Sequence, residues 1–108
     1  MNKIACITGA SSGIGRATAE CLAKEGFRLI LCGRRKERLE ELKASLKVDS
    51  TILVFDVADQ KSVISAFESL TGDWKNIDIL VNNAGNAHGM SAIQDGDVAD
   101  WEAMMSSN

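Results

Sequence analysis

The residues with the clearest capacity for chemistry are Gly9, Ser11, Ser12, Gly13, Ile14 and Gly15. They lie between the apolar run Ile4-Ala5-Cys6-Ile7 and a segment with apolar residues at Ile14, Ala17, Cys21 and Leu22. An apolar run that breaks into small and polar residues and resumes at helical spacing reads as a buried strand turning into a helix. Glycines in such a turn allow positive φ and let a ligand or a neighbouring strand approach the main chain. The N–H groups of the helix's first turn, expected to point outward after Gly13, have the positive end of the helix dipole behind them, which suits a phosphate or diphosphate. The spacing Gly9-x-x-x-Gly13-x-Gly15 differs from the commoner Gly-x-Gly-x-x-Gly, so the alternative is a glycine-rich turn that binds nothing.

The elements that must position this turn follow from the rest of the chain. Phe27 to Cys32 and Thr51 to Phe55 are nearly continuous apolar runs, as is Ile77 to Val81, and each reads as a strand buried on both faces of a parallel sheet. Between them, Gly26 stops the first helix. Leu39, Leu42 and Leu46 mark an amphipathic second helix, each leucine contributing about 1.5–3 kcal/mol when buried. Asp59 is placed to cap a third helix with an apolar face of Val63, Ile64, Phe67 and Leu70, and Gly72 is its expected end. A last helix is expected to open between Asp97 and Asp100 and to carry Trp101, Met104 and Met105 on one face. Alternating strands and helices require right-handed crossovers. The expected fold class is therefore α/β, a Rossmann-type doubly wound parallel sheet in strand order 3-2-1-4, with a ligand crevice beyond the carboxyl ends of strands 1 and 4.

Three landmarks fall on that same rim. An acidic residue at the end of strand 2 would accept from a ribose 2′-OH, but the chain has Gly33-Arg34-Arg35 there. Arg34 and Arg35 can instead hold a 2′-phosphate through charge-assisted bonds of roughly 1.5–3 kcal/mol each, which favours NADP(H) over NAD. Their alternative role is as solvated charges opening a helix. Asp56 can accept from an adenine amino group while the Val57 N–H meets a ring nitrogen; the alternative for Asp56 is a helix cap, which Asp59 serves better. Asn82 and Asn83, ahead of Ala84 and Gly85, can bind backbone or ribose, and Asn82 is expected to tie strand ends together whether or not a ligand binds.

The 108 residues are enough for one domain, and a net charge of −3 with 25% charged residues describes an ordinary globular chain. The short basic cluster Arg34-Arg35-Lys36 with Arg38 is followed by Glu40 and Glu41, so nucleic acid is not an expected partner. No apolar run is long enough to span a bilayer and no signal-peptide pattern opens the chain, so a cytoplasmic location is expected. Cys6, Cys21 and Cys32 lack ligand spacing and read as reduced core residues, with no metal expected. Trp74 and Trp101 read as covers of the core. His88, the only histidine, reads as a surface or substrate-loop residue.

Together, Thr8-Gly9-Ala10-Ser11-Ser12-Gly13-Ile14-Gly15, Gly33-Arg34, Asp56-Val57 and Asn82-Asn83-Ala84-Gly85 resemble the short-chain dehydrogenase/reductase family over essentially the whole chain. The stretch from Asn82 to Asn108, with Asp100-Trp101-Glu102 and Met104, further resembles the branch containing NADP-dependent 3-hydroxy acid (serine-type) dehydrogenases. The resemblance implies hydride transfer between NADP(H) and a carbonyl or secondary alcohol, with a 3-hydroxy acid as a candidate small-molecule substrate. It also implies a homodimer or homotetramer. The family uses a tyrosine as acid/base, a lysine and a serine, with an asparagine supporting a water-linked proton path; Asn108 stands where that asparagine is expected. The chain contains no tyrosine. It is accordingly expected to be the NADP-binding N-terminal part of a longer subunit, residues 1–108 forming one domain that is inactive alone. The alternatives are a dinucleotide-binding module or sensor without catalysis, and an interaction protein whose last helix pairs with a partner.

Overall fold

The computed structural model describes residues 3–83. Four strands, β1 (Ile4–Thr8), β2 (Arg28–Gly33), β3 (Ser50–Val54) and β4 (Ile79–Asn82), alternate with helices α1 (Gly13–Lys24), α2 (Lys36–Ser45) and α3 (Gln60–Glu68). A 3-10 turn, Gly72–Lys75, precedes β4. The sheet is parallel throughout, in the order β3-β2-β1-β4, as the strand and helix pattern predicts. Cys6 lies opposite Ile30 on one side and Leu80 on the other, so β1 is the central strand from which the winding reverses.

The period-two alternation of side chains divides the core into two layers. On one face, Ala5, Ile7, Leu29 and Leu31 pack with Ala19 of α1 and Leu39 and Leu42 of α2. On the other, Ile4, Cys6, Ile30, Cys32 and Leu53 pack with Val63 of α3, and Ala66 and Phe67 join from the same helix. Helices on both faces make β1 and β2 apolar on both sides, which is why their sequences show runs rather than alternation. Leu39 and Leu42 are buried as expected, while Leu46 lies just past α2 as its half-buried cap residue.

The face of α1 differs from the expected one. Gly15 and Ala19 are its buried residues, and Ile14, Ala17 and Cys21 are exposed. The helix lies so close to the glycine turn that only its smallest residues fit inward: a Cβ at Gly15 would stand 2.0 Å from the Gly9 carbonyl oxygen. Cys21 is therefore not a core residue, in contrast to Cys6 and Cys32. Gly72 opens the 3-10 turn with φ 60° rather than closing α3, which ends at Glu68 with Ser69 as its cap. Gly26, at φ 89°, makes the predicted stop after α1.

At the amino-terminal rim of the sheet, Arg28 lies 4.4 Å from the centre of the Trp74 ring and pairs with Asp49 at 3.2 Å and Asp73 at 3.6 Å. Both carboxylates are largely exposed, so the ion pairs add little; the contact over the ring and the packing of Trp74 against the core cover this end. The opposite rim carries the site.

Candidate functional site at the carboxyl rim of the sheet

The turn after β1 is fixed from three directions. Gly9 takes φ 63°, which reverses the chain where a side chain would be strained. The Ala10 N–H then donates to the Cys32 carbonyl at 2.9 Å, fastening the turn to the end of β2. Ser12 is the N-cap of α1: its Oγ accepts from the Gly15 N–H at 3.1 Å and donates to the Gly9 carbonyl at 2.8 Å. The Gly15 amide is thus committed internally, contrary to the picture of a wholly free first turn. The Gly13 and Ile14 amides have no acceptor among the described residues, and a Cβ at Gly13 would meet nothing within 4 Å. Two outward amides beside open space, at a helix N-terminus, are a fit cradle for a phosphate group.

Strand β2 delivers the arginines to the same rim. Gly33 ends the strand, and a Cβ there would come within 3.3 Å of Leu39 and 3.4 Å of Ser11 Oγ, so Ser11 lies against the segment that leads to Arg34. Arg34 and Arg35 are exposed, and neither makes an ion pair or hydrogen bond through its side chain among the described residues. Arg35 is the N-cap of α2 but provides no capping bond. Cations at a helix N-terminus are mildly unfavourable, and two unpaired ones leave positive potential beside the cradle. An anionic group bridging Ser11 and the arginines would relieve it.

Strand β3 brings Asp56 and Val57 to the rim. Asp56 Oδ1 accepts from the Ala58 N–H at 3.0 Å, which shapes the turn, while Asp59 caps α3 by accepting from the Ser62 N–H at 3.3 Å. The Asp59 cap is the one expected from its position, whereas the bond from the Ala58 N–H to Asp56 is an addition made by the fold. In β4, Asn82 Oδ1 accepts from Thr8 Oγ1 at 3.0 Å and so ties strand ends, as anticipated. The Asn83 N–H donates to the same hydroxyl at 3.1 Å. Among the described residues, Asn83 Nδ2 is buried without a hydrogen-bond acceptor.

Thr8 opens the glycine motif, and its own role is visible only in the fold, although it is the one polar residue closing an apolar strand. It is fully buried, and its hydroxyl joins the glycine turn to the Asn82-Asn83 segment. Cys32 lies directly beneath the turn with its sulfur 3.5 Å from that of Cys6. Burial, followed by the neighbouring Cys6 thiol, pushes the Cys32 thiol well up from its ordinary range, so Cys32 is an inert packing group, and Cys6 is buried beside it. Among the described residues no cluster of three or more histidine, cysteine or acidic side chains could hold a metal, and no helix is long and apolar enough to cross a membrane. Ala84, Gly85, His88, Trp101, Asn108 and the helix expected from Asp97 lie outside the described residues.

A parallel sheet wound in opposite directions from β1, with an amide cradle at the point of reversal, defines a nucleotide-binding protein of the doubly wound α/β class. The short chain dehydrogenase family matches residues 3–108, and the chain belongs to that family. A probable NADP-dependent dehydrogenase of Dichelobacter nodosus is 46% identical over 105 residues, 97% of this chain and 99% of the relative. The NADP-dependent 3-hydroxy acid dehydrogenase YdfG of Escherichia coli is 41% identical over 105 residues, covering 97% of this chain and 42% of that enzyme. Among solved structures, the closed form of a serine dehydrogenase complexed with NADP+ superposes with a TM-score of 0.72 at 41% identity, over 94% of this chain and 41% of that one. The resemblance to the 3-hydroxy acid and serine-type branch is thus borne out, and the chain spans less than half the length of both of these enzymes.

Proposed function

We propose that this chain forms the cofactor-binding part of an NADP(H)-dependent oxidoreductase acting on a small carbonyl compound or secondary alcohol, with a 3-hydroxy acid as candidate substrate. The observation that carries the reading is the pairing, on one rim of the sheet, of the Gly13 and Ile14 amides with the Arg34 and Arg35 cations, all without partners among the described residues. Diphosphate and 2′-phosphate are the anions those two sets match. Gly9 and Gly15 shape the turn, and Ser11 and Arg34, with Arg35 beside it, hold the 2′-phosphate. Asp56 and the Val57 N–H face the adenine, and Asn82, Ala84 and Gly85 are the remaining cofactor-binding residues of this reading. When bound, NADP(H) supplies or accepts the hydride. Asn108 supports the proton path in this reading, and the assembled subunit is a homodimer or homotetramer.

Relatives named for NADP-dependent dehydrogenation support the cofactor and reaction class. The second reading is a dinucleotide-binding module or sensor without catalysis. Calorimetric titration with NADPH and NADH tests both. NADPH binding at least about tenfold tighter than NADH is expected from one charge-assisted contact. Equal affinities, or no binding at millimolar nucleotide, would remove the NADP(H) assignment. In the longer subunit that the first reading expects, NADPH binding without oxidation by any carbonyl offered would select the second reading.

A further inference from the structure

We draw no further inference here: the strongest candidate, the exposed stripe of Ile14, Ala17 and Cys21 along the outer side of α1, is an apolar surface patch for which nothing in the structure shows what covers it.

Discussion

The Thr8 hydroxyl donates to Asn82 Oδ1 at 3.0 Å, joining the carboxyl ends of β1 and β4 where the sheet reverses its winding. It also accepts the Asn83 N–H at 3.1 Å, so one buried side chain holds two consecutive residues of the rim. Thr8→Val keeps the shape and removes both bonds. Urea unfolding should show a loss of about 1–3 kcal/mol, because the Asn83 N–H loses its acceptor in a half-buried place. Thr8→Ser, which keeps the hydroxyl, should lose less. A valine variant as stable as the wild type would show that the bridge contributes nothing.

Gly13 and Gly15 are two residues apart and should respond oppositely to alanine. At Gly15 the new Cβ meets Gly9 backbone at 2.0 Å, which must displace the turn or the helix. A loss of about 3 kcal/mol or more is expected by thermal or urea unfolding. At Gly13 the space is open, and stability should change by no more than about 1 kcal/mol. NADPH affinity should nevertheless fall about tenfold, since a methyl group then stands beside the cradle amides.

Arg34→Ala separates the two dinucleotides. The side chain is exposed and unpaired among the described residues, so its removal should leave stability within about 0.5 kcal/mol. NADPH affinity should fall about tenfold or more and NADH affinity should hardly change, because only NADPH carries the 2′-phosphate. Equal losses in paired titrations would take Arg34 out of that contact.

Cys32 gives a pH dependence of known sign. Burial raises its folded pKa above the unfolded value of about 8.5, so the folded chain retains a proton that the unfolded chain releases. Its stabilising contribution is complete below about pH 8.5 and declines as the pH rises toward the folded value, with a limiting slope of about 1.4 kcal/mol per pH unit. Unfolding free energies of wild type and Cys32→Ala from pH 7 to 10 should therefore converge in the alkaline range. Parallel curves would show that Cys32 does not carry the dependence.

Strand order was legible because continuous apolar runs such as Leu29-Ile30-Leu31 require cover on both faces, and the glycine turn then places β1 at the centre. The roles of Asp59 and Asn82 were legible for a similar reason, since each has a short polar side chain at an element's end. The inward face of α1 was not. Hydropathy favours Ile14 and Cys21, but close approach to a backbone favours Gly15 and Ala19, and that distance is a property of the packed turn. The different uses of Ser11 and Ser12 were hidden likewise, because adjacent hydroxyls have the same chemistry until the chain's path assigns their partners.

The single bond from the Ala10 N–H to the Cys32 carbonyl ties the glycine turn to the strand that leads into Arg34. In the proposed reading it makes the rim a caliper with one jaw on each of two adjacent strands. A molecule with two anionic groups would then be sorted by the span between them as well as by their charge.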